Sequence, residues 1–149
     1  MKKYILLLFS ILALYMTDAT AQNADSWMIK LNKDVLIRTP VETSEPVIYL
    51  SKSAVLKSKS IFSIEYTSSD PQKDWNRIFS FKQENEQSLK EVKTKNQSGS
   101  ISFDAKDLQK AAKANQPVFL YTMSLPNDPE MAAMVRVRRF LLCKIQWKN

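Results

Sequence analysis

Between Pro117 and Trp147 apolar and polar positions alternate with a period of two. Phe119, Tyr121, Met123 and Leu125 fall on one face of the first run, and Val135, Val137, Leu141, Cys143, Ile145 and Trp147 fall on one face of the second. Side chains of a strand point alternately to opposite sides, so this period predicts half-buried strands, and the pair reads as the last long hairpin of an antiparallel sheet. Arg139 breaks the second series at a position where the phase demands an apolar side chain, while Arg136 and Arg138 point to the opposite face.

The same period recurs upstream. Trp27, Ile29 and Leu31 alternate with Met28, Lys30 and Asn32, and Val35 to Ile37 resumes the apolar character, giving one interrupted strand or two short ones. A polar loop from Thr39 to Pro46 leads to a β region over Val47 to Thr67, broken at Ser51 to Ser53 and again near Lys57 to Ser60. Within it Phe62, Ile64 and Tyr66 share a face. After the turn cluster Ser68-Ser69-Asp70-Pro71, Trp75, Arg77, Phe79 and Phe81 alternate with Asn76, Ile78 and Ser80, a strand covered on both faces. Lys82 to Ser100 holds only Leu89 and Val92 as aliphatics and reads as a solvated edge hairpin turning near Glu84-Asn85-Glu86, its charges guarding the edge against pairing with another chain.

Helical spacing is confined to two places. Phe103 to Asn115 carries Asp104 as cap, Asp107 in the first turn and a narrow stripe of Leu108, Ala111 and Ala112; a stripe this narrow covers a corner of a sheet. Asp128 then caps about one turn over Glu130 to Met134, with Pro129 at its first position. Seven or eight short strands with one short helical crossover predict an all-β, antiparallel β-sandwich over residues 22–149. The helical crossover followed by a strand bearing Tyr121 resembles the corner of immunoglobulin-like and fibronectin-like sandwiches, in which a tyrosine hydroxyl bonds back toward the preceding connection. That resemblance implies an immunoglobulin-like fold and no particular function.

The amino terminus adds a destination. Lys2 and Lys3, the apolar run Ile5 to Met16 and the small-x-small triplet Ala19-Thr20-Ala21 have the layout of a secretory signal peptide over residues 1–21, cleaved before Gln22. The run is shorter than the roughly 20 apolar residues a spanning helix needs. The expectation is a secreted or periplasmic protein with no transmembrane segment after cleavage. Losing two lysines and Asp18 lowers the formal net charge from +7 to +6.

Composition removes whole classes of chemistry. With no histidine there is no Ser-His-Asp or Cys-His pair and no imidazole ligand, and a single glycine, Gly99, leaves no Gly-rich phosphate loop. Cys143 is the only cysteine, so no intramolecular disulfide forms, and its apolar phase assigns it to the core. No cofactor and no metal site is expected. Asp70 with Asp74, or Asn127, Asp128 and Glu130, offer oxygen ligands but not the spacing of a calcium loop.

The ligand-binding candidates are Arg136, Arg138 and Arg139, because a guanidinium fork matches carboxylate, phosphate or sulfate. The competing use for Arg139 is a structural pair at a bulge with Glu65 or Asp74, worth about 3 kcal/mol if buried. Trp27, Trp75, Trp147, Tyr49, Tyr66 and Tyr121 form a sugar-stacking platform only if several are exposed together; Trp75, Tyr66, Tyr121 and Trp147 lie in apolar phases that favour the core. Asn96-Gln97-Ser98 matches the glycosylation triplet. Export and dispersed lysines argue against nucleic acid. The expected function is therefore an exported, non-catalytic binding or interaction domain for an anionic envelope polysaccharide or lipid surface, or for a partner protein. A carbohydrate-binding module and a small carboxylate-dependent hydrolase are the alternatives.

Overall fold

The computed structural model describes residues 24–39, 45–56 and 59–148; the expected signal peptide lies outside them. Among the described residues nine strands make two sheets: β1 (Ser26–Leu31), β2 (Asp34–Arg38), β4 (Ile61–Thr67) and β7 (Gly99–Asp104) form the first in the order β2-β1-β4-β7. β3 (Val47–Ser51), β5 (Trp75–Gln83), β6 (Ser88–Lys93), β8 (Val118–Pro126) and β9 (Phe140–Lys148) form the second in the order β3-β9-β8-β5-β6. Every neighbouring pair is antiparallel except β3 and β9, which run parallel.

The core is what the period-two pattern requires of two facing sheets. Ile29, Phe62 and Ile64 of the four-stranded sheet meet Phe79, Phe81, Val118, Leu120, Cys143 and Ile145 of the five-stranded one, all at 0% exposure. Aromatic edges lock the layers: Phe62 meets Phe81 at 5.8 Å between centroids and 81°, and Tyr66 meets Phe79 at 6.2 Å and 66°. β5 is buried on both faces as its sequence predicts, with Asn76, Ile78 and Ser80 enclosed along with Phe79 and Phe81. β6, with its lysines and glutamate, is an outer strand, joined to β5 through a turn in which Glu86 has φ 61°.

Short helices close the ends. Asp104 accepts from the Lys106 amide at 3.0 Å and starts a 3₁₀ turn over Ala105–Leu108 that continues as the helix Gln109–Lys113. Leu108, Ala111 and Ala112 are fully buried, as the narrow stripe predicts, but Phe103 remains in β7, where its ring packs on Phe62 and Phe81. A further helix, Lys52–Leu56, occupies the expected break after β3 and buries Val55. Asp128 caps Pro129–Met134 by accepting from Glu130 at 2.8 Å.

The closing hairpin departs from its expected phase. Val118, Leu120 and Thr122 face the core at 0% exposure, so Phe119, Tyr121, Met123 and Leu125 lie on the outer surface of the sheet, half-buried. The second arm begins at Phe140, leaving residues 135–139 outside any strand. A bulge opposite Leu120 and Tyr121 makes Cys143 pair with Leu120 while Leu141 pairs with Tyr121, so Leu142 is the inserted residue. Leu142 and Cys143 are consequently both buried, which strict alternation forbids. Tyr121 is not a corner tyrosine: it sits mid-strand, its ring stacked on Phe119 at 6.4 Å.

Candidate functional site

β9 presents Lys144, Gln146 and Lys148 outward, because Cys143 and Ile145 face the core. The antiparallel register sets Phe119 beside Lys144, and the parallel register sets Tyr49 beside Gln146. Phe119, Tyr121, Tyr49 and these three polar residues therefore share the outer face of the five-stranded sheet. Over each ring lies a cation: Lys144 Nζ is 5.3 Å from the Phe119 centroid, Lys148 Nζ 4.8 Å from that of Tyr49, and the Arg139 guanidinium 4.2 Å from that of Tyr121. Tyr49 is 54% exposed, so this face meets solvent with its ring and its ammonium together.

The cations differ in what remains of their charge. Arg139 reaches across β8 to the β5–β6 turn, where its two terminal nitrogens donate to the two carboxylate oxygens of Glu86 at 3.0 and 3.3 Å. Lys82 shares that carboxylate at 2.8 Å. Hydrogen bonds from Arg139 and Lys82 hold the Glu86 carboxyl well below the usual range, down to about 2. Among the described residues no carboxylate pairs with Lys144, Lys148, Arg138 or Arg136. A cation over a ring keeps its donors free, whereas one in a salt bridge has committed some of its donors to the carboxylate, which offsets its charge.

The three sequence-predicted arginines thus separate. Arg139 has a carboxylate partner, but it is Glu86 rather than Glu65 or Asp74, and the pair is exposed rather than buried, because the residue precedes β9 instead of interrupting it. Arg138 lies over the Phe140 ring at 4.8 Å, at the start of the strand, and Arg136 is exposed in the preceding segment. They do not form a single fork. Lys144 and Lys148 were not singled out by sequence, although their alternation with Cys143, Ile145 and Trp147 carries the signal.

A second constellation, also unanticipated, ties the two sheets together at one end. Arg77 keeps the inward phase of Phe79 and Phe81 and is 4% exposed; its guanidinium lies 3.6 Å from the centroid of Tyr66 on the opposite sheet. Its Nε donates to the Gln97 carbonyl at 2.7 Å, Nη1 lies 3.4 Å from the Thr122 hydroxyl, and Nη2 stands 3.7 Å from Asp25. Asp25 accepts from the Tyr66 hydroxyl at 2.6 Å and from the Ser69 amide at 2.8 Å. Burial pushes the Asp25 carboxyl up, but the Ser69 and Tyr66 hydrogen bonds and the Arg77 charge outweigh it and leave it lowered. Burial and the bond to Asp25 push the Tyr66 phenol up, and burial pulls Arg77 down.

The other candidates have structural uses. Gln97 of the glycosylation triplet is buried and accepts from the Gln72 amide at 2.6 Å, and the Ser98 hydroxyl accepts from Ser68 at 2.8 Å. Asp70 accepts from the Gln72 side chain at 3.1 Å. Trp147 donates to the Gln116 carbonyl, and Trp27 stacks on Tyr66 at 6.1 Å. Among the described residues no helix is long and apolar enough to cross a membrane. Compared with models of known protein families, with curated proteins and with solved structures, the chain matches none significantly.

Proposed function

We propose that this protein is an exported, non-catalytic binding domain whose outer five-stranded face engages an anionic polysaccharide of the cell envelope. The observation that supports it most is the pairing of Lys144 with Phe119 and of Lys148 with Tyr49 on one face, with no carboxylate among the described residues taking up either charge. The rings hold each ammonium in place and leave its donors free for sulfate or carboxylate groups. Acidic residues lie toward the β5–β6 end, where Glu86 is already spent on Arg139 and Lys82, so the β3–β9 half is the cationic one. Stacking of a neutral sugar is the weaker reading, because the cations already occupy ring faces that such a sugar needs.

Strand order supports an immunoglobulin-like reading of the sandwich. From β4 onward the chain places β5 and β6 in the second sheet, returns β7 beside β4, and sends β8 back beside β5 with β9 on its far side. That is the Greek-key order of such domains. The basic segment at Lys2 and Lys3 with the cleavage triplet at Ala19 to Ala21 supports export.

Equilibrium binding of a sulfated oligosaccharide, with neutral dextran as control, tests the proposal. The protein should bind the sulfated sugar with an affinity that falls steeply with salt, and the double variant Lys144→Gln/Lys148→Gln should lose about tenfold, or about 1.4 kcal/mol. Equal binding by the double variant, or equal affinity for neutral dextran, contradicts it.

A further inference from the structure

Where Trp27 and Tyr66 of the four-stranded sheet come opposite the first residues of β9, a cleft of about 280 Å³ lies among Asp25, Trp27, Tyr66, Phe140, Leu141 and Leu142. Its lining is almost wholly apolar, and its size falls just short of the roughly 300–1,000 Å³ typical of small-molecule sites, enough for one short chain or one ring. Phe140 lines it while remaining 46% exposed, so an aromatic edge stands at the opening.

One uncommitted cation stands beside this apolar space. Arg138 is exposed, lies 4.8 Å over the Phe140 ring and has no carboxylate partner among the described residues. Asp25, the acid of the lining, is already engaged by Tyr66 at 2.6 Å, by the Ser69 amide and hydroxyl at 2.8 and 2.9 Å, and by the Arg77 charge. A ligand matching these features is apolar over most of its length and anionic at one end.

We infer that the cleft between Trp27, Tyr66 and Phe140 binds a small apolar carboxylate, its hydrocarbon part against Phe140 and Leu142 and its charge held at the mouth by Arg138. Phe140 pairs with Thr122 on the inward face, whereas Lys144 and Lys148 point outward, so this site and the cationic sheet face stand or fall separately.

Calorimetric titration of the purified protein with octanoate, and with octan-1-ol as its uncharged counterpart, tests the inference. Octanoate should bind saturably at one site; Phe140→Ala, a change at an exposed residue, should weaken it about tenfold. Arg138→Gln should weaken octanoate while leaving octan-1-ol unchanged, and Trp27→Phe, which removes part of the apolar wall, should weaken both. Lys144→Gln/Lys148→Gln should have no effect. The inference is overturned if octanoate does not saturate a single site, if Phe140→Ala and Arg138→Gln bind it unchanged, or if the lysine pair abolishes binding and so assigns the anion to the sheet face.

Discussion

Arg77 is the residue on which the end of the sandwich depends. It is carried into the core by the alternation of β5, and burying a guanidinium there is tolerable only because a ring, a carbonyl and a carboxylate receive it. Removing it takes the cation from Asp25, which keeps Tyr66 and Ser69, and leaves the buried Gln97 carbonyl without its donor, so Arg77→Met should cost about 2 kcal/mol in urea denaturation. Asp25 contributes to the pH dependence beside Glu86, whose carboxyl is also held low. Its folded-state carboxyl titrates below the ordinary 3.8, so its contribution is complete above that value and is lost as pH falls through the lower folded value. Acid unfolding of the Asp25→Asn variant should therefore lose part of its pH dependence below about 3.8, while the neutral-pH midpoint drops. An unaltered acid limb in the variant would assign that dependence to other carboxylates.

β9 shows how one inserted residue redistributes an element's faces. Through the bulge, Leu142 and Cys143 are both enclosed, Ile145 keeps to the core, and Lys144, Gln146 and Lys148 are delivered to the outside. Burial pushes the Cys143 thiol far above its usual range, so a disulfide reagent at pH 8 should leave the native protein unmodified and label one thiol per chain in denaturant. Labelling at native rates would place Cys143 outside the core. β1, β4 and β5 were legible in the sequence because each carries a clean alternation with an apolar inward set; the Arg77 phase was legible as well, though not its partners, which come from residues 25, 66, 97 and 122. The closing hairpin misleads for a physical reason. Phe119, Tyr121, Met123 and Leu125 are the bulkier apolar set, and bulk suggests core, but Val118 and Leu120 fill the narrow interior while the larger side chains are shaded from outside by Arg139 and Lys144. An unpaired bulge has no signature in a single sequence, so Arg139 looks like a phase break inside a strand when it precedes the strand.

For the molecule as a whole, the two sheets have different work. The β2-β1-β4-β7 sheet supplies half of the core and, through Asp25 and Tyr66, the anchor for Arg77. The five-stranded sheet has one face in the core and another on which cations stand over rings; of these Arg139 is paired with Glu86, while among the described residues no carboxylate pairs with Lys144 or Lys148. The formal charge of +7 is thus not evenly spent: Arg139, Lys82, Lys30, Lys90 and Lys106 have acidic neighbours, whereas Lys144 and Lys148 stand over rings. Long-range attraction brings a polyanion toward any basic protein, but only a fixed array of donors gives it a place. The direct measurement of that place is an amide chemical-shift titration of the isotope-labelled protein with a short sulfated oligosaccharide at moderate salt. Shifts concentrated at Tyr49, Phe119, Lys144, Gln146 and Lys148, with β1, β2, β4 and β7 silent, are the predicted result; shifts confined to the four-stranded sheet, or scattered evenly over all surface lysines, would contradict a binding face on β3, β9 and β8.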